Sequence, residues 1–151
     1  MAPRWPGAAA LWLAWLWQPE RQVRLHTAGL IHGVERRDWR KVEALLADDY
    51  SDRWSHDKAF VVTALRQVFQ PFIFLTIEHR IIALDASTGR VSAQVKMSGQ
   101  GGPAAQFVMA KVNGLGDPFT FTWQQHSRRP WDWQLTSVDH PTLEPDIEPQ
   151  F

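Results

Sequence analysis

The chain has no cysteine, so thiol nucleophiles, thiolate metal sites and disulfides are excluded, and any chemistry must come from its six His, its carboxylates, Arg, Lys or hydroxyls. Two residues stand out as an acid–base pair, Asp52 and His79, since a carboxylate and an imidazole facing one cavity can pass a proton between them. His79 lies in the apolar run 73–84 with the parity of Ile77 and Ile81, which places its imidazole among apolar side chains on the concave face of a strand. A neutral His bonded to a backbone carbonyl would occupy the same position without doing chemistry. Asp52 lies two residues before Trp54 and shares its face if the segment is extended; otherwise it is a capping or surface carboxylate. Gln125 has the parity of Phe119, Phe121 and Trp123 and offers an amide to the same cavity, or to water at a hairpin end. Trp54, His79, Trp123, Gln125 and Trp133 together form the expected ligand-binding set, three aromatic walls with two neutral polar handles.

Other groupings read as structural. His26 and His32 are six apart on one helix and diverge, and no His spacing matches a metal motif, so neither a metal nor a cofactor is expected. Asp48 and Asp49 are adjacent, point apart and read as a helix exit. Ser98-Gly99-Gln100-Gly101-Gly102 reads as a bulge or hairpin tip with strands on both sides, whereas a phosphate cradle needs a strand-to-helix transition. Trp131 and Trp133 fall on one strand face and read as core. Arg128-Arg129 is only long enough to solvate a turn. Sixteen basic residues balance sixteen acidic ones, so there is no field to gather nucleic acid, and no nucleic-acid partner is expected.

The elements that position these residues follow from periodicity. Val23, Thr27, Leu30, Ile31 and Val34 define one face of a helix over 20–36. Asp38 caps a short helix carrying Trp39, Val42, Leu45 and Leu46, and residues 50–54 read as a short strand. A third helix opens at Ser55, aligns Phe60, Ala64, Leu65, Val68 and Phe69, and stops at Pro71. After residue 71 the period becomes two. Strands are expected over 73–84, 90–98, 106–112, 119–126 and 131–140, with Asp85 to Gly89 as the first turn and no further helix.

Residues 1–18 stand apart. The run Gly7 to Trp17 is apolar and Trp-rich but covers only about half of the ~30 Å hydrocarbon thickness, so it cannot span a membrane unaided. It reads as an export signal, an interfacial anchor or an extra helix, which leaves membrane, export and cytoplasm all open as locations. The main domain is expected over 19–141, followed by an acidic, Pro-containing and mobile tail over 142–151. At 151 residues the chain suits one ordinary α+β domain, helices on one side of an antiparallel sheet.

The order of elements, together with Arg37-Asp38-Trp39, Leu45-Leu46-Ala47-Asp48-Asp49-Tyr50 and Trp133-Gln134-Leu135-Thr136-Ser137-Val138-Asp139-His140-Pro141, resembles the nuclear transport factor 2-like superfamily, which includes SnoaL-like proteins and ketosteroid isomerases. The resemblance spans about residues 20–141. It implies a cystatin-like cone of three N-terminal helices on a curved antiparallel sheet, a pocket at the open end, and often a dimer formed through the sheet. The position of the isomerases' general base falls on Trp54 and that of their oxyanion-donating tyrosine on Leu30, so isomerase chemistry lacks both its proton acceptor and its charge stabiliser.

Three functions follow as expectations. The first is a pocket domain binding a small uncharged or weakly polar ligand, or a partner protein. The second is a SnoaL-like or dehydratase-type enzyme using Asp52 and His79. The third is a scaffold tethered to a membrane through residues 1–17.

Overall fold

The computed structural model describes residues 6–141, among which five helices and four strands follow in the order α1 (Pro6–Leu16), α2 (Pro19–Glu35), α3 (Trp39–Leu45), α4 (Lys58–Phe69), β1 (Phe72–Asp85), β2 (Arg90–Gly101), α5 (Pro103–Asn113), β3 (Phe119–Gln125) and β4 (Trp133–Asp139). The sheet is an antiparallel meander, β1-β2-β3-β4. The acidic tail expected over 142–151 lies outside the described residues.

Local chemistry explains most of the boundaries. Pro19 starts α2, whose buried face carries Val23, Thr27, Leu30 and Ile31. Asp38 caps α3 by accepting from Lys41 N. Asp57, not Ser55, caps α4, because its carboxylate reaches Phe60 N at 2.8 Å. Gly89 closes the β1–β2 turn at a positive φ of 70°. A Cβ there would sit 1.9 Å from the Trp123 carbonyl, so only glycine lets the turn approach β3.

Two expectations are overturned. Residues 106–112 are not a strand but the body of α5, so a fourth helix of the main domain interrupts the sheet after residue 73. Pro103 sits in the first turn of this helix, and Ala105, Val108, Met109 and Val112 then recur at helical spacing, with Ala105 and Met109 buried. The glycines before it continue β2 to Gly101 and do not break it. Residues 50–54 also form no strand. The segment is a loop, joined to the sheet through Ser51 N donating to Thr136 O, while a bridge between Leu46 and Leu135 ties the end of α3 to the sheet just before it.

The helices lie against one face of the sheet and bury two clusters. The larger joins Val23, Leu30, Val42, Leu46, Tyr50, Val91, Phe121, Trp123, Trp133 and Leu135. The smaller seats α5 on the β1–β2 hairpin through Phe69, Phe72, Leu75, Met97, Ala105 and Met109. Over residues 7–16 the helix α1 has no buried side chain. It is held by Gln22 Nε2 donating to Leu16 O at 2.9 Å, by Arg21 over the Trp15 ring and by Trp17 against Trp131. That contact separates the two tryptophans expected on one face: Trp133 begins β4 in the core, and Trp131 lies in the preceding turn, half exposed.

Candidate functional site

The helix α2 crosses the sheet obliquely. Near its middle it is pinned to β3, where Trp123 Nε1 donates to Thr27 Oγ1 at 2.9 Å, both residues being fully buried. Near its end it reaches β1, where Glu35 Oε2 accepts from Ile77 N at 2.7 Å. Between these two attachments the helix and β1 part, leaving a cleft of about 360 Å³ lined by Ala28, Gly29, Ile31, His32 and Glu35 from α2 and by Ile77 and His79 from β1. The two periodicities assemble this lining: positions three and four apart share a helix face, and positions two apart share a strand face.

The walls are largely apolar and the polar groups sit together. Glu35 is held by Ile77 N and lies 3.4 Å from His32 Nδ1. His79 is exposed on the strand wall and makes no hydrogen bond or ion pair among the described residues. A second hollow, of about 420 Å³, lies among Arg37, Trp39, Arg66, Gln67 and Gln70. Its walls combine the Trp39 ring with guanidinium and amide side chains, and Arg37 is already committed to the carbonyls of Phe72 and Ile73.

The five residues of the expected ligand set do not surround one cavity. His79 lines the cleft. Trp123 and Trp133 are core residues at 2% and 8% exposure, and they fill the cone where a pocket was expected. Trp133 Nε1 donates to Pro130 O at 2.9 Å. Gln125 stands at the exposed end of β3 and donates to Arg129 O across the turn. Trp54 is half buried in the 47–57 loop, with Arg53 over its ring, and Leu30 is core.

Asp52 has a structural task. Its buried carboxylate accepts from Tyr50 Oη at 3.2 Å, Trp54 N at 3.0 Å and His56 N at 3.1 Å, and His56 Nδ1 lies 3.7 Å away. Three donors on one carboxylate fold the loop around it. The hydroxyl of Tyr50 also accepts from Val138 N, tying that loop to β4. None of these groups lines the cleft, so Asp52 and His79 are not assembled as a pair. His140, fully buried, has Nε2 2.8 Å from Asp117 O and packs its ring at a tilt against Phe119, 4.8 Å between centroids.

Sequence reasoning missed Gly29, His32 and Glu35. A signal was present, since His32 and Glu35 stand at i,i+3 on the helix whose other positions define the core face. What was hidden is that α2 stands off β1 between Thr27 and its last residue, Glu35, which reaches Ile77 N.

The sequence matches no family model and no curated protein. Solved structures do match. ActVI-ORFA from Streptomyces coelicolor aligns over 82% of this chain and 95% of its own at 15% identity, with a TM-score of 0.53. AusH from Aspergillus nidulans aligns over 82% and 87% at 8% identity, with a TM-score of 0.50. The chain has the cystatin-like, nuclear transport factor 2-like fold. A protein of unknown function with a cystatin-like fold, from Nostoc punctiforme, also aligns over 81% and 91%, at 11% identity and a TM-score of 0.48. At these identities the likeness defines the architecture, and the function has to be read from this chain's own cleft.

The loop makes a prediction of its own. Burial, and then the neighbouring Asp52 carboxylate, push the Tyr50 hydroxyl well above its ordinary value of 10.0. An acid whose folded pKa is raised contributes stability that is complete below the unfolded pKa and is lost as pH rises beyond it. Unfolding free energy should therefore decline above about pH 10. Because Tyr50 is the chain's one tyrosine, its tyrosinate absorbance should appear together with unfolding and not before it. A tyrosinate step in the still folded protein near pH 10 would contradict the burial.

Proposed function

We propose that this chain is a ligand-binding domain whose site is the cleft between α2 and β1 and whose ligand is a small, mostly apolar molecule bearing one weakly polar group. The observation that carries this reading is His79, an imidazole with no partner among the described residues, at the lip of an apolar cleft whose other polar groups, Glu35 and His32, are already engaged with Ile77 N and with each other. A charged ligand would give up hydration there without meeting a free counter-charge, whereas a hydroxyl or carbonyl can bond to the imidazole while the rest of the molecule covers Ala28, Ile31 and Ile77. The acid–base alternative is less well supported, because the carboxylate it needs already holds the 50–56 loop together.

The test uses Gly29. A Cβ built on it meets only Lys41 Cε at 4.0 Å, so the backbone there accepts a side chain, and Gly29→Leu adds bulk to a residue of the cleft lining while improving helix propensity by roughly 0.8 kcal/mol. With the exposed α1 silenced by Leu11→Glu and Trp12→Glu, the neutral fluorophore Nile red should bind the Gly29 parent at least about tenfold more tightly than Gly29→Leu, a loss on the order of 1.4 kcal/mol. The thermal midpoint should hold or rise. Equal binding by both would refute the cleft as the site.

A second reading concerns α1. Leu11, Trp12 and Trp15 are 74%, 57% and 45% exposed on a helix with no buried side chain over residues 7–16, which suits a membrane interface, where Trp side chains settle at the headgroup level. No helix among the described residues is long and apolar enough to cross a membrane. Under this reading the chain rests on a bilayer through α1, and the full chain should sediment with phosphatidylcholine vesicles. The Leu11→Glu, Trp12→Glu variant should stay in the supernatant with an unchanged melting curve. Sedimentation of both to the same extent would rule this reading out.

A further inference from the structure

The sheet has an outer edge at β1, and this structure treats that edge unevenly. Ile77 stands opposite Met97 in the β1–β2 ladder, yet their backbone groups turn outward: Ile77 N donates to Glu35, while Met97 N and O are held by the Asn113 carboxamide at 2.7 and 2.8 Å. They are a non-hydrogen-bonded antiparallel pair, so the next outward-facing residues along β1 are His79, opposite Val95, and Ile81, opposite Ala93. Side chains from the end of α2 and the turn after it cover the first part of the edge, through Arg37 on the carbonyls of Phe72 and Ile73 and Glu35 on Ile77 N. From His79 onward no protein group among the described residues covers it. A strand edge left open in this way is a template for another strand.

The side chains specify which strand fits. Glu78 and Arg80 flank His79 on the opposite face. Both are exposed, and neither belongs to an ion pair among the described residues, although Glu78 stands opposite Lys96 in register. Turned about a two-fold axis through His79, the segment Ile77-Glu78-His79-Arg80-Ile81 is complementary to itself: Glu78 meets the second copy's position 80, Arg80 meets its position 78, and Ile77 meets its position 81. We propose that β1 pairs edge to edge with β1 of a second copy of this chain, in antiparallel register centred on His79. This joins the two four-stranded sheets through their edges rather than packing them face to face. The ladder holds the two His79 N–H to His79 carbonyl bonds and the two Ile81 N–H to Ile77 carbonyl bonds, with Glu35 keeping the Ile77 N–H and so ending the pairing. Four backbone bonds and two ion pairs make a small interface, and the dimer is correspondingly weak.

The charge pattern supplies the test. Sedimentation velocity of the full chain up to roughly 1 mM should show a concentration-dependent dimer. Glu78→Arg alone and Arg80→Glu alone each bring like charges together at both pairs and should weaken association roughly tenfold or more. An equimolar mixture of the two variants should associate again as a heterodimer, because each then faces its opposite. Both positions are exposed, and matching circular dichroism melts check that the variants are folded. A wild-type chain that stays monomeric, a dimer indifferent to either reversal, or a mixture that fails to associate would overturn the proposal.

Discussion

One buried hydrogen bond, from the Trp123 indole to the Thr27 hydroxyl, sets the geometry on which the rest depends. An indole N–H taken out of water without an acceptor costs about 1–3 kcal/mol, so the fully buried Trp123 needs the hydroxyl that α2 presents to it. Thr27 in turn already donates to Val23 O, as a helical threonine does. The pairing fixes α2 over β3 at one rotation and one height. From that rotation follow the positions of Ala28, Ile31, His32 and Glu35, and hence the cleft that opens where the helix draws away from β1. His26 packs its ring against the same tryptophan, 5.6 Å between centroids, and tightens the arrangement.

Filling the interior with bulky apolar side chains has a second consequence. Trp123, Trp133, Phe121 and Leu135 gain apolar burial in the cone, and the cleft lies instead at the flank of the sheet, between α2 and β1. At that flank the helices meet strand edges with polar side chains: Glu35 and Arg37 along β1, Asn113 along β2. These contacts supply partners to backbone groups that no neighbouring strand reaches. They also mark where the cover ends, and the uncovered stretch begins at the residue that lines the cleft, His79.

Much of the architecture was legible in sequence because periodicity reports burial directly. The spacing of Val23, Thr27, Leu30 and Ile31 was sufficient for α2, Asp38 marked its short successor, and alternation from Val91 to Met97 marked β2. The order of elements also carried the fold family. The α5 helix was not legible, since a glycine run followed by Pro103 reads equally as a broken strand or as a helix start, and only docking against Phe72 and Met97 decides between them. Parity placed Trp123 on the helix-facing side but is silent about what stands opposite, so an aromatic wall and a packed core looked alike. The loop around Asp52 was hidden for another reason: its order comes from three donors converging on one carboxylate, which leaves no periodic trace.

The central claim is that the interior is a packed core and that small apolar molecules meet this protein in the outer cleft. Nuclear magnetic resonance can follow the Trp123 indole proton and the His79 backbone amide in one titration with a neutral apolar ligand. The account predicts that the His79 amide and its cleft neighbours shift with added ligand, while the Trp123 indole proton stays in place and exchanges slowly with solvent throughout. A Trp123 indole signal that shifts in step with ligand, with His79 unmoved, would show that the cone itself is the site and would contradict the account.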